Sequence, residues 1–471
     1  MIITEENRWR DLFSSKNAPS AIVLSIGVGL MAANTLIAIT ILPSAVKDIG
    51  GLNLYAWNTT LFVVASIIGS ILSARLLNTS GARNAYLVAA LVFFIGSLIC
   101  TFAPTMEVML IGRTVQGLGG GFLFALSYSM INLVFEQALW PKAMALISGT
   151  WGVATLIGPA IGGIFAEMNA WRYAFGMMLP VILLYALFSY RILPPKQAQS
   201  TTKMALPIVQ LILLSVAVLA VSSGSLSQDV SINIIGVVTA IVLVSLLVLY
   251  ERRTSVKLLP QNTLSLGSPH LTLFVTMMLL VIGLSGDVFV PYFLQILHEQ
   301  SPLASGYMVA MAAIGWTVGE VMSASWQGAK MRFAIISGPV FMFIGMLLLL
   351  VILPYRSAGE WQIVLPIILG LGLFGFGIGF GWPHLLTRIL QVSCDADKNL
   401  AGSSITTVQL FATAFGSALA GMVTNIFGFY QPGGIEGAAA ASHWLFLLFA
   451  VAPLLALFTA WKSAKITADN R

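Results

Sequence analysis

Apolar runs of about twenty residues recur along the whole chain, broken by short polar stretches. A membrane-crossing helix needs about 20 residues at about 1.5 Å rise each. On that measure the pattern predicts fourteen helices. Six run at about 20–43, 54–77, 84–104, 107–135, 142–167 and 171–192. Two more fall at about 205–226 and 232–250, and six at about 271–297, 303–326, 332–353, 362–391, 402–428 and 442–464. Pro and Gly are frequent inside these runs, and membrane helices tolerate both.

Polar interruptions divide the runs six, two and six. The expected organisation is a cytoplasmic N-terminal segment at 1–19 and a six-helix half at 20–192. A linker carrying two extra helices follows at 193–270. A second six-helix half at 271–464 and a cytoplasmic tail at 465–471 complete it. The two inserted runs are nearly all aliphatic and are expected outside the core. Six-helix halves enclosing a midplane site are the plan of many secondary transporters.

Basic residues test the count. With both termini inside, Arg8, Arg10, Lys16, Arg75, Arg83, Lys142, Arg191, Lys196, Lys203, Arg252, Arg253 and Lys257 fall on the cytoplasmic side. So do Lys330, Arg332, Arg388, Lys398, Lys462, Lys465 and Arg471. Lys47, Arg172 and Arg356 fall opposite, a split of 19 to 3, with Arg113 left inside a helix. The positive-inside rule expects this bias. The net charge of +6 is therefore a topology signal. No basic stripe interleaved with aromatics suggests nucleic acid as a partner.

Composition fixes the solvent. Hydrophobic residues make up 58% and charged ones 8%, where soluble domains carry about 25% charged. This excludes a soluble globular protein. The start, MIITEENRWRDLFSSKNAPS, lacks the basic-then-apolar order of a signal peptide, so the first apolar run is expected to be retained. Cys100 and Cys394 make neither a disulfide framework nor a metal site. No cofactor or metal is expected.

Two carboxylates interrupt the apolar runs: Asp287 in LVIGLSGDVFVPYF and Glu320 in MVAMAAIGWTVGEVMSA. A charge at the bilayer centre costs roughly 2.5–3.5 kcal/mol on insertion scales and usually marks an ion or substrate path. The plainer alternative is a packing group hydrogen-bonded to a neighbouring helix. Arg113, a turn or two into the fourth run, must find acceptors or snorkel, and Gln116 is near in sequence.

Four segments carry a family pattern: GSILSARLLNTSGARNAYL (69–87), IGRTVQGLGGG (111–121), GTWGVATLIGPAIGGIFAE (149–167) and AWRYAFGMMLPV (170–181). Together with VPYFLQILHEQSPLASGYMVA (290–310) they resemble the major facilitator superfamily, and within it the fourteen-span drug:proton antiporters. The resemblance covers essentially the whole chain. It implies an all-α polytopic membrane protein in which Arg113 helps couple proton movement to substrate binding. It implies that Gly149, Gly152, Gly158, Pro159, Gly162 and Gly163 control closure between halves. Their small size by itself allows close helix approach.

Two departures matter. Gly69, Arg75, Gly81 and Arg83 match the basic-loop motif, but Ser73 stands where the family carries an acid, which puts its conformational latch in doubt. Asn34 stands where the first helix of such exporters carries an aspartate. The proton burden then shifts to Asp287 and Glu320, with Glu320 the first choice because its run places it near midway.

Trp57, Asn58, Tyr128, Asn132, Tyr292, Gln295, Trp316, Trp382, His384, Gln409 and Phe411 join Asn34 as candidate substrate-pocket residues. Aromatics can hold a cation or a flat apolar molecule. His384 is also titratable. The chain lacks a P-loop and HExxH, and its glycine-rich GLFGFGIGFG (372–381) reads as close helix packing.

The expected function is proton-coupled export of small amphipathic organic compounds by alternating access, from a bacterial inner membrane and as a monomer. A dedicated exporter of one metabolite, such as a siderophore or an amino-acid derivative, is the alternative. A non-transporting receptor on the same scaffold is a more distant one.

Overall fold

The computed structural model describes residues 9–136, 139–196, 205–265, 267–394 and 397–466. Arg8, Lys203, Arg471 and the side chain of Asn132 lie outside the described residues. Among the described residues all regular structure is helical. After a single helical turn at Trp9–Leu12, the α-helices in chain order are α1 (Ala18–Ile49), α2 (Trp57–Thr101), α3 (Met106–Val134), α4 (Trp140–Glu167), α5 (Arg172–Gly176) and α6 (Met178–Ile192). Then come α7 (Ile208–Gly224), α8 (Val230–Arg253), α9 (Pro269–Leu284), α10 (Val290–Leu297) and α11 (Pro302–Ser323). The last are α12 (Gly328–Ile352), α13 (Trp361–Val392), α14 (Lys398–Ile426), α15 (Gly434–Phe449) and α16 (Val451–Ser463).

Eleven stretches among the described residues are helical, long and apolar enough to cross a membrane. The number is below fourteen for identifiable reasons. The runs expected at 54–77 and 84–104 are one continuous stretch, because α2 passes through a kink at Gly81 (φ 76, ψ 167). α11 and the 17-residue α7 are not among the eleven.

The chain forms two compact units. Unit 1 comprises 1–41 and 65–206; unit 2 comprises 42–64 and 207–471. The division passes through α1 and α2 rather than only through the 193–270 linker.

Within unit 1, glycines bring α2 and α3 into backbone contact. A Cβ at Gly96 would strike Gln116, one at Gly119 would strike Phe93, and one at Gly121 would strike Ser66. Small residues allow the close approach that holds membrane helices together. Ser66 adds a hydrogen bond to the Gly117 carbonyl at 3.0 Å. Gly158 and Gly162 of α4 lie against Leu36, Ile37 and Thr40 of α1, whereas a Cβ at Gly149 or Gly152 would meet nothing within 4 Å. The glycine ladder thus has one packed half and one open half.

The basic loop is held by the chain beyond α6. Lys196 Nζ donates to the Thr79 carbonyl at 2.8 Å, and Arg83 Nε to the Leu193 carbonyl at 3.3 Å. Gly81 faces the Lys196 backbone, so its left-handed φ and the lack of space both call for glycine. Ser73 turns back on its own helix, donating to the Ser70 carbonyl at 2.6 Å.

Unit 2 is built around α13, which lies between α11 and α12. Its glycines serve both neighbours. Gly375 and Gly379 sit under the Ala312 and Trp316 carbonyls of α11, and Gly377 under Met342 of α12. The run 372–381 is close packing, as its sequence predicts. α7 and α8 pair through Gly224 and Gly236, and α7 reaches the core through α14. Most of the α8 surface is exposed.

Candidate functional site

The chemistry-bearing side chains fall into one group in unit 1 and two in unit 2. In unit 1, Arg113 stands two turns into α3 and is 2% exposed. Its Nη1 donates to Asn34 Oδ1 of α1 at 2.6 Å and to Gln116 Oε1 at 2.8 Å. Gln116 passes the chain on, donating from Nε2 to Ser97 Oγ at 2.9 Å, and Ser97 donates to the Phe93 carbonyl. Three helices are thus joined by one buried polar line. Asn34 Nδ2 is buried with no hydrogen-bond partner among the described residues, so its two N–H donors remain for a water or a substrate acceptor. Tyr128, further along α3, lies 3.4 Å from Ser148 Oγ through its hydroxyl.

The first group in unit 2 surrounds a break. Between α9 and α10 the chain runs as a 3-10 turn, Ser285–Phe289, with Asp287 at its centre. Pro291 explains the break: it has no N–H to give the Asp287 carbonyl, and its ring crowds that carbonyl. A Cβ on Gly416 of α14 would lie 2.5 Å from Ser285 Oγ, so the turn is tightly backed. Asp287 itself is only partly buried, and its carboxylate accepts from the Val288 backbone N–H.

An aromatic cluster lies beside it. Tyr55 stacks on Phe289 at 5.0 Å and meets Phe429 at 5.4 Å and Tyr292 at 5.9 Å, ring centre to ring centre. The Tyr55 hydroxyl is buried without a partner among the described residues, as are Trp57 Nε1 and Gln295 Nε2. Asn58 is also buried. Sequence reasoning missed Tyr55. It stands at the start of a run, where a tyrosine ordinarily reads as an interfacial anchor.

The second group in unit 2 gathers at one end of α11 and α13. Glu320 Oε2 accepts from Trp316 Nε1 at 3.2 Å, and Trp316 meets Trp382 edge-on at 5.1 Å. His384 hydrogen-bonds the Ser323 backbone, and its Nε2 is buried without a partner among the described residues. Glu320 lies in the last turn of α11, which ends at Ser323. This corrects the expectation that it sits near midway along its helix. Asp287 and Glu320 share no hydrogen bond. Gln409 and Phe411 lie on α14, where Phe411 stacks on Phe415 at 5.7 Å. Arg388 caps the last helix, donating to the Ser463, Ala464 and Ile466 carbonyls.

Outside the membrane-spanning segments, one histidine is fully enclosed. His298 Nδ1 pairs with Ser357 Oγ at 2.8 Å and Nε2 with the Leu353 carbonyl at 3.1 Å. Burial pushes its pKa below the ordinary histidine value, against a smaller opposing effect of the Leu353 bond.

An all-helical, strongly apolar chain with ionisable groups held inside its helices has the make-up of a secondary transporter. The chain belongs to the Major Facilitator Superfamily, whose model matches residues 24–393. Probable multidrug-efflux transporters of two Mycobacterium tuberculosis strains are 36% identical over 465 residues, covering 97% of both sequences. Multidrug resistance protein 3 of Bacillus subtilis is 26% identical over 432 residues, covering 88% of this chain and 82% of its own. A crystal structure of a D-xylose-proton symporter shares the fold, with a TM-score of 0.67 at 17% identity and coverage of 96% and 99%. The chain is therefore a multi-pass membrane transporter of small molecules and not an enzyme.

Proposed function

We propose that this transporter exports small amphipathic organic compounds, several rather than one, in exchange for protons. It works by alternating access with fourteen spans, two six-helix halves, two inserted helices and cytoplasmic termini, as a monomer in a bacterial inner membrane. The 36% identity to probable multidrug-efflux transporters across nearly the whole chain supports export. The observation that carries proton coupling is Asp287 at the helix break. A carboxyl group in the middle of a membrane segment, on backbone released from regular helix, is placed as transporters place ion sites.

In this reading a proton enters toward Asp287 and substrate leaves as the carboxyl takes it up. The cluster of Tyr55, Phe289, Tyr292 and Phe429 offers stacking area for flat molecules, and the Tyr55 hydroxyl a donor. Arg113, with Asn34 and Gln116, gives a fixed charge that senses the protonation state. Glu320 is the second acid, and its Trp316 bond suits it to a gating or binding role.

The test is accumulation of a panel of fluorescent drugs in cells expressing the protein, with and without a proton uncoupler. Export of several unrelated compounds, lost on uncoupling, is expected. Export of one metabolite alone would favour the dedicated exporter, and export indifferent to the uncoupler would refute proton coupling.

A further inference from the structure

The loop 254–268 joins the second inserted helix to the second half. It follows the membrane-length α8 and precedes the span that begins at Pro269, so it lies at the bilayer–water boundary. Its described residues, 254–265, are held by specific hydrogen bonds. Glu251, 4% exposed, accepts from the Leu258 and Leu259 backbone N–H groups at 2.6 and 2.9 Å and from Gln210 Nε2 of α7 at 3.0 Å. Ser404 of α14 donates to the Leu258 carbonyl at 2.7 Å, and Gln261 N donates to Asp397 at 3.0 Å. These bonds engage both oxygens of Glu251, which also lines the adjacent cavity, and one oxygen of Asp397.

The loop lines an open-sided cavity of about 540 Å³. Arg252 and Lys257 line it. Each spends a hydrogen bond on the loop: Arg252 Nη2 to the Leu264 carbonyl at 2.5 Å, Lys257 Nζ to the Glu251 carbonyl. A guanidinium has five donors and an ammonium three, so both keep capacity for a ligand. Thr263 also lines the cavity. It is 2% exposed, and its hydroxyl has no partner among the described residues. A buried hydroxyl left unpaired is costly and points to a missing acceptor. Leu259, Pro260 and Leu264 supply apolar wall.

We propose that this cavity binds the phosphodiester of a phospholipid headgroup, with Arg252 and Lys257 on the phosphate oxygens and Thr263 donating a hydrogen bond. Two cations with spare donors, one buried hydroxyl and an apolar rim at the interface match a group that is anionic at one end and greasy at the other. The lipid then tethers the inserted pair to the second half. The site is independent of the transport reading, and its failure would leave that reading untouched.

The same phosphate chemistry is available from solution, and the test separates the two sources. The full chain, purified in detergent, is titrated with phosphatidylglycerol and with phosphatidylcholine, and bound lipid is counted by native mass spectrometry. Parallel samples contain inorganic phosphate or glycerol 3-phosphate as competitors. Wild type is expected to retain one phospholipid that the soluble competitors do not displace. Arg252→Gln and Lys257→Gln should each weaken retention about fivefold. Thr263→Val leaves both loop-holding cations in place and should also weaken it about fivefold. Displacement by the soluble compounds would keep the phosphate site but make its ligand soluble, overturning the lipid assignment. Equal retention by wild type and all three variants would overturn the proposal. So would loss in the two charge variants alone, which marks general attraction of lipid to a basic surface.

Discussion

Arg113 and Asn34 meet at 2.6 Å although 79 positions separate them, and the guanidinium there also holds Gln116. One nitrogen of the planar guanidinium fork, Nη1, serves both amide oxygens, its two N–H bonds held in fixed directions. Arg113→Lys keeps the charge but not the fork, and is expected to lower pH-driven transport by about tenfold or more while the protein still folds. Arg113→Ala strands the buried Asn34 oxygen, at about 1–3 kcal/mol, and leaves Gln116 Oε1 with only the weak Cys100 S–H donor, so reduced thermal stability should accompany its lost transport. Transport in proteoliposomes and melting in detergent read the two effects. Wild-type rates in Arg113→Lys would remove the guanidinium from the coupling mechanism.

Asn34→Asp puts a carboxylate where the amide oxygen now accepts from Arg113. A buried ion pair forms, and a second proton site enters the first half. The expected outcome is steeper dependence of export on the pH gradient, with more protons moved per substrate. Parallel flux of substrate and protons checks this. An unchanged ratio would make the position structural only.

Asp287 and Glu320 are expected to separate in function. Asp287→Asn should abolish proton-driven export while substrate binding persists, because the carboxyl lies at the helix break. Glu320→Gln should weaken binding of cationic substrates and leave a reduced but still pH-dependent export. Substrate-driven proton release and binding titrations on each variant decide. Proton release intact in Asp287→Asn and lost in Glu320→Gln would reverse the roles.

Much of this architecture is legible in the sequence because bilayer thickness dictates helix length. The runs of about twenty apolar residues mark helices, and GLFGFGIGFG announces two close-packed faces of α13. Arg113 advertises its need for acceptors, and Gln116, one turn away, is the acceptor that local spacing offers. Asn34 as the second partner is not legible, because tertiary packing brings α1 to α3. Glu320 misleads because Ala324 and Trp326 extend the largely apolar run while the helix stops at Ser323. The loop that clasps Glu251 is hidden for a similar reason. Backbone N–H groups, which carry no sequence signal, hold its carboxylate.

The glycines of α13 give a stability contrast within one helix. A methyl at Gly375 or Gly379 would overlap a carbonyl of α11, whereas one at Gly372 meets nothing within 4 Å. Gly375→Ala should cost about 1–3 kcal/mol or prevent folding, as overpacking does. Gly372→Ala should be neutral or up to about 1 kcal/mol stabilising, since alanine is the better helix former. Melting of the purified variants reads both, and equal effects would contradict the packing of α13 on α11.

A histidine clasp makes one loop end sensitive to pH. His298 holds Ser357 and the Leu353 carbonyl, while the Ser357 backbone N–H donates to the Leu297 carbonyl at 2.9 Å. An exposed ion pair, Glu299 with Arg356 at 3.5 Å, flanks the clasp. Burial holds the imidazole pKa below its ordinary value, so the folded clasp prefers the neutral ring. The sign follows from linkage. Above the ordinary histidine value both folded and opened forms are neutral, and the clasp has its full strength. As pH falls below that value, the opened form takes the proton first and the clasp weakens, until the lowered folded value is passed. Hydrogen exchange at the Ser357 amide, corrected for intrinsic rates, should therefore show less protection at about pH 5.5 than at about pH 7.5. His298→Gln keeps a polar side chain there but cannot titrate, so its protection should be weaker overall and independent of pH. Pairing Glu299 with Arg356 is not the cause of the pH response if Glu299→Gln leaves that response unchanged, and this outcome is expected. A wild-type clasp equally protected at both pH values would show that the ring does not titrate against opening.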